Sequence, residues 1–237
     1  MSEGCNWKAR IIYDSKTERG FTSGWGFSVL LSKDDFNLLF DCGWDGHVLR
    51  DNLGRFGLTF ADLDMIFISH GHWDHISGLT EILHDMFIPG QIEIVLPSNL
   101  SSNLKREISR RARTREISSR TELLPSIWST GPLGLGEKEQ ALVIDCGGMG
   151  IVVTGCCHPG IGKVLSEAEK IVEPKYIIGG IHDSNPADIP SSIERIILCH
   201  CTSNADKFKM CFGTRVLIGS VGSVYDFESM KEGYCVK

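Results

Sequence analysis

The stretch FISHGHWDH (67–75) gathers His70, His72, Asp74 and His75 directly behind an apolar run. Neutral imidazole and carboxylate oxygen together make the donor set that suits zinc and related first-row divalent ions. His70 and His72 stand two residues apart at a strand end, so the period of two puts both rings on one side of the chain, where they converge on one point. Asp74 and His75 follow a tight turn and open the next helix, so they aim at a neighbouring point from a second direction. Polar residues also collect in ordinary loops, but His-x-His-x-Asp-His straight after a strand is a spacing specific to metal ligation.

The elements that must position these donors are legible from period and punctuation. Short apolar runs bounded by Gly, Asp and Ser predict strands over 9–15, 26–33, 36–43 and 65–69. The last is apolar throughout, as expected of a strand covered on both faces. DNLGRFGLTFADLD predicts a helix, a glycine break and a second short helical turn. Leu79, Ile82, Leu83 and Met86 give helical spacing to 77–86, and 92–98 reads as another strand. In the second half, 140–146, 150–158 and 175–182 predict strands and 162–173 an amphipathic helix. Strands clustered around helices in this order predict two mixed sheets with helices packed outside.

Between the halves lies a basic segment, expected to be a helical insert at about 99–125. Over 105–120, Lys105, Arg106, Arg110, Arg111, Arg113, Arg115 and Arg120 face only two acidic residues. Guanidinium forks match phosphate oxygens, so Arg110 and Arg113 are candidate substrate contacts if the segment closes over the metal edge as a lid. The alternative is a solvated helix face. Trp73, between the ligands, either stacks on a flat substrate ring or shields the metals from solvent. Trp25, in SGWGFS, is expected to pack in a hairpin.

Bulk properties narrow the classes. A chain of 237 residues buries a sizeable core and is expected to form a single domain, 1–237. A net charge of −6 gives no overall reason to expect nucleic acid or an anionic membrane. No run approaches the roughly 18 apolar residues of a membrane span, and MSEGCNWKAR lacks the apolar core of a signal peptide, so a cytoplasmic location is expected. The nine cysteines have no disulfide-scaffold density and are expected to be reduced. The expected partner is a small-molecule substrate, with no membrane and no nucleic acid, and a homo-oligomer is left open.

SHGHWDHISGL resembles the signature of the metallo-β-lactamase superfamily. That resemblance implies an α/β fold, a four-layer αββα sandwich, with metal ligands on loops at one edge of the two sheets. FDCG (40–43) matches the family's strand-end aspartate and glycine, which implies that Asp41 orients a ligand from behind. The resemblance further implies that His158, ending VVTGCCH, joins His70 and His72 around one ion. His200, in RIILCHC, would join Asp74 and His75 around the other. The family's bridging aspartate follows a strand of the kind seen as YIIGG, and this chain has Gly180 there. His182, two residues on, is expected to reach inward through the space so left, to bind metal, hydrogen-bond substrate or donate a proton, with Asp183 a weaker candidate. Asp74 and His182 are thus the candidate catalytic groups. The cofactor is one or two divalent ions, with zinc leading and manganese, iron or magnesium open.

GFSVLL, LLFDCG, TGCCHPGI, IGGIH and LCHCT extend the likeness over about residues 10–222. Together they are similar to the branch of 7,8-dihydropterin-6-methyl-4-(β-D-ribofuranosyl)-aminobenzene-5′-phosphate synthase, also described as metal-dependent hydrolases. Three functions follow as expectations. The first is hydrolysis of a small, phosphorylated or ester-like metabolite by a metal-activated water. The second is a transferase joining dihydropterin methyl diphosphate to ribofuranosyl aminobenzene phosphate in the methanopterin pathway. The third is a non-catalytic metal-binding or sensing protein. Histidine-rich ligation suits zinc better than magnesium and favours the first. Diiron redox members carry glutamate where this chain has His72. Nucleic-acid-processing members are expected to need a large inserted domain, and antibiotic-degrading members to need export.

Overall fold

The computed structural model describes residues 5–85 and 92–231. It divides into two compact units, the first built on residues up to Glu116 together with those from Ser220, the second on Ile117–Gly219. The chain lays down β1 (Lys8–Tyr13), β2 (Ser28–Lys33), β3 (Phe36–Phe40), β4 (Met65–Phe67), β5 (Glu93–Pro97) and β6 (Arg113–Ile117). It passes through β7 (Thr121–Leu124), β8 (Ile127–Ser129), β9 (Leu142–Asp145), β10 (Gly150–Thr154), β11 (Pro174–Gly179), β12 (Arg195–Leu198) and β13 (Val216–Ile218), and returns with β14 (Val224–Asp226). The helices are α1 (Gly46–Arg55), α2 (Trp73–Ile76), α3 (Leu79–Asp85), α4 (Ser102–Ser109), α5 (Ile161–Ala168), α6 (Ala205–Phe212) and α7 (Phe227–Lys231).

The first sheet runs β14-β1-β2-β3-β4-β5-β6. Its strands from β14 to β3 pair antiparallel, but β3, β4 and β5 are parallel. Parallel neighbours end on the same edge, so whatever follows β3 meets whatever follows β4. Ile12, Leu30, Leu39 and Ile66 of the sheet pack with Leu49 and Leu53 of α1 and Leu79 and Ile82 of α3. Asp45 caps α1 by accepting from the His47 and Val48 N–H groups.

The second sheet runs β13-β12-β11-β10-β9-β8-β7. The four strands β10 to β13 are parallel, whereas β7, β8, β9 and β10 pair antiparallel. The loops after β10, β11 and β12 therefore share one edge. Val143, Val152, Ile177 and Ile196 form its core with Val164 and Leu165 of α5 and Phe208 of α6. Two sheets with helices against them are the expected architecture.

Several local expectations change. The basic segment is helical only over Ser102–Ser109; β6 and β7 follow. Thr114, Ile117 and Thr121 are β-branched and take sheet-edge positions, where strand pairing overrides the helical propensity of the arginines around them. β7, β8, β12, β13 and β14 are not among the strands read from the sequence. Cys5 and Cys146 are each disulfide-bonded, against a wholly reduced inventory. The expected helical position Met86 lies outside the described residues. Among the described residues no helix is long and apolar enough to cross a membrane.

Candidate metal centre

In the first unit the site grows from the parallel pairing of β3 with β4. The Ile68 N–H still donates to Val95 O at 3.0 Å, so the chain leaves the ladder only at Ser69. There the fully buried Asp41 carboxylate takes over: Oδ1 accepts from the Ser69 N–H at 2.7 Å and Oδ2 from Ser69 Oγ at 2.6 Å. The same Oδ2 lies 2.7 Å from His75 Nδ1, and Ser69 Oγ lies 2.8 Å from His70 Nδ1. A hydroxyl that gives its proton to a carboxylate keeps lone pairs for an Nδ1–H. Both rings are therefore held through Nδ1, and Nε2 is the nitrogen each can offer to a metal.

Asp41 adopts a left-handed backbone, φ 54°. This strained conformation is held by its own N–H donating to Phe67 O at 2.8 Å and by the Cys42 N–H donating to His75 O at 2.7 Å. Close approach also explains the glycine of HISGL, because a Cβ on Gly78 would lie 2.1 Å from Cys42 O. His72 precedes α2, and its carbonyl accepts from the His75 and Ile76 N–H groups. The His70 ring lies 4.7 Å from that of His72 and 4.4 Å from that of His75, centroid to centroid. His75 Nε2 is 3.9 Å from Asp74 Oδ2. Two donors each about 2.1 Å from a tetrahedral zinc would be about 3.4 Å apart, so this pair needs little adjustment to share one ion. Donor types, burial and anchored Nδ1 atoms all fit a divalent metal.

In the second unit, His158 follows β10, Gly180 and His182 follow β11, and His200 follows β12. Three non-glycine residues here have left-handed backbones: Cys157 at φ 63°, His182 at 45° and Cys201 at 62°. Strain of this kind concentrates at sites whose side chains must be aimed. The His158 and His182 rings are 5.2 Å apart. His182 is half-exposed, with Nδ1 3.2 Å from Asp183 Oδ2. The Ser203 hydroxyl, and then the charge of His182, hold the Asp183 carboxyl below the usual range. His200 is buried.

The space expected at Gly180 is not there. A Cβ at that position would lie 2.3 Å from His200 O and 2.4 Å from Gly155 O, and Thr154 Oγ1 donates to Gly180 O at 2.7 Å. Backbone carbonyls of the two neighbouring loops occupy the position, so His182 takes its place beside His158 from its own turn, not through a gap.

Arg113 also departs from expectation. Arg113 pairs with Glu93 at 3.0 Å, and Glu93 aligns with Met65 at the start of the parallel β4/β5 pair, whereas the candidate ligands follow Phe67 at its end. Arg110 pairs with Glu107 at 2.7 Å on an exposed face of α4. Trp73 is 49% exposed and meets Trp44, 51% exposed, in a perpendicular contact with centroids 4.1 Å apart. Trp25 is 56% exposed and lies in the loop that joins the antiparallel strands β1 and β2. Sequence reasoning missed Ser69 and Glu139. Ser69 adjoins the motif and was detectable; buried Glu139 has no signal to distinguish it from exposed Glu137.

A family model described as anti-Pycsar protein Apyc1 matches residues 19–132. The chain is 25% identical to an uncharacterized protein of Methanocaldococcus jannaschii, over 91% of this chain and 98% of the relative. It is 27% identical to the 7,8-dihydropterin-6-methyl-4-(β-D-ribofuranosyl)-aminobenzene-5′-phosphate synthase of that organism, over 77% of this chain and 82% of the relative. The solved structure of a metal-dependent hydrolase of the β-lactamase superfamily matches with TM-score 0.75 at 25% identity, over 93% of this chain and 98% of that one. The short form of human tRNase Z shares the fold, with TM-score 0.64 at 18% identity. That match spans 98% of the tRNase Z chain, so chain length by itself does not set such proteins apart from this one, as had been expected. With its two mixed sheets, flanking helices and strand-end histidines, the chain has the α/β metallo-β-lactamase fold and is similar to proteins of the metallo-β-lactamase superfamily.

Proposed function

We propose that this chain is a metal-dependent hydrolase of a small phosphorylated or ester-like metabolite. On this reading His70, His72 and His158 hold one divalent ion, and Asp74, His75 and His200 hold a second. The observation that carries it is the Asp41 network, which fixes His75 directly and His70 through Ser69, each by Nδ1. Such outer anchoring of imidazoles is what metal sites require and what a chance surface cluster lacks. The histidine-rich donors favour zinc over magnesium. A divalent ion there would activate a water and polarise the oxygen of the bond to be cleaved.

The protein's own groups then have separate tasks. Asp74 orients the attacking water and accepts its proton, while Asp41 keeps the neighbouring imidazole in the ligating tautomer. His182, poised by Asp183, donates a proton to the leaving oxygen. Trp73, set at right angles to Trp44, offers a flat apolar surface for a substrate ring. Phosphoester chemistry draws support from a ribonuclease Z of Gemmatimonas aurantiaca, 36% identical over 32% of this chain. The dihydropterin-phosphate synthase relative favours a second reading, in which the same site binds a pterin diphosphate for group transfer.

Metal content by mass spectrometry and turnover of a generic phosphodiester test the first reading. His72→Ala is expected to reduce turnover by more than about 100-fold, beyond the 10–100-fold of an outer-shell change, and to lower metal content. Full activity in that variant would refute the assignment. Diphosphate release from a pterin diphosphate only when the aminobenzene partner is present would favour the transferase.

A further inference from the structure

We propose that Glu139 is a positioning residue whose buried carboxylate clamps the 155–158 loop and thereby fixes the placement of His158. Glu139 is 2% exposed, and its carboxylate accepts from three amides of one loop. Oε1 accepts from the Gly155 N–H at 2.8 Å and the Cys156 N–H at 3.0 Å, and Oε2 accepts from the His158 N–H at 3.0 Å. The β10/β11 ladder ends at Thr154, so these N–H groups need partners from elsewhere. The left-handed turn at Cys157, φ 63°, lets amides on both sides of it face one anion, the geometry of a backbone nest.

Glu139 is itself fixed. Its N–H and C=O both bond to Leu133, at 3.1 and 2.9 Å, closing a short antiparallel excursion before β9. From the other flank the Gly180 N–H donates to Gly155 O at 3.0 Å. The loop is thus gripped on one side by a carboxylate and on the other by the end of β11. The arrangement mirrors the first unit, where Asp41 after β3 secures the loop after the adjacent β4. In each unit one buried carboxylate, carried by or next to the strand that neighbours the ligand-bearing strand, replaces the ladder where the chain leaves it. An ionised carboxylate can accept all three bonds; an amide at the same place would turn its NH2 group towards one or more of the donors.

The clamp can be tested without metal, whereas its bearing on ligation rests on the function proposed above. Hydrogen exchange of the metal-free Glu139→Gln protein is expected to quicken about tenfold or more at the 155, 156 and 158 amides, with β10 to β12 unchanged. Zinc affinity, measured by chelator competition, is expected to fall about 10–100-fold, and the exposed control Glu137→Gln to change neither quantity. Unaltered exchange in the loop would overturn the clamp. Faster exchange with unaltered zinc affinity, in a protein whose wild type binds zinc, would overturn the link to His158. A wild type that binds no metal would instead defeat the metal reading, while the exchange result still decides the clamp. If Glu139→Gln does not fold, Glu139→Asp serves the same purpose, since its shorter side chain cannot span all three amides and should also loosen the loop.

Discussion

A single carboxylate, Asp41, links two candidate ligands that lie 5 residues apart in sequence, His70 and His75, through bonds of 2.6–2.8 Å involving Ser69. Asn at this position would keep the shape but put an NH2 where an acceptor is needed, leaving a buried donor without its partner. Asp41→Asn is expected to weaken metal binding about 10–100-fold and to destabilise the fold by about 1–3 kcal/mol. Chelator competition and urea unfolding measure the two effects. Wild-type values in both would show that the network is ornamental to the site. The same scale explains what was readable here: His70, His72, Asp74 and His75 are a local pattern, and their donor chemistry is apparent from spacing. Glu139 was not, because a glutamate becomes an anchor only through what folds against it.

At the scale of elements, parallel strands deliver the site. β3 and β4 end together, as do β10, β11 and β12, so loops distant in sequence share an edge. Tight contact between those ends makes Gly180 a packing requirement. Gly180→Ala would force a methyl to within 2.3–2.4 Å of two carbonyl oxygens, so the strand ends must part. A loss of about 1–3 kcal/mol or more is expected in thermal or urea unfolding, and Gly180→Asp should be at least as damaging and restore no metal bridge. An alanine variant as stable as wild type would mean that the loops yield freely. The strands themselves were legible as apolar runs, but the edge strands β6 and β7 were hidden within a basic segment. Arg113 was chosen for its charge, and only its pairing with Glu93 reveals which end of the sheet it occupies.

For the whole molecule, a buried thiol ties stability to pH. Burial, and after it the charge of Asp41, push the Cys42 thiol well above its ordinary range. The folded state therefore keeps this proton while the unfolded chain releases it above roughly pH 8.5. Fewer protons on the unfolded state means that stability falls as pH rises, by about 1.4 kcal/mol per pH unit from this group. Cys42→Ala is expected to flatten the decline between pH 8.5 and pH 10 by about that slope, as read from urea midpoints. Parallel declines in variant and wild type would refute it.

The sequence by itself determined the alternation of apolar strands and helices and the local ligand motif, because both depend on periods of a few residues. Likeness to known proteins supplied the superfamily and the candidacy of His158 and His200. Only tertiary structure decided that Gly180 is enclosed by carbonyls, that the buried Asp41 and Glu139 carboxylates accept from the amides of the loops carrying the candidate ligands, and that Arg113 pairs with Glu93 at the other end of the β4/β5 pair. Each of these depends on which strand lies beside which, and a one-dimensional pattern carries no record of that until the sheets have formed.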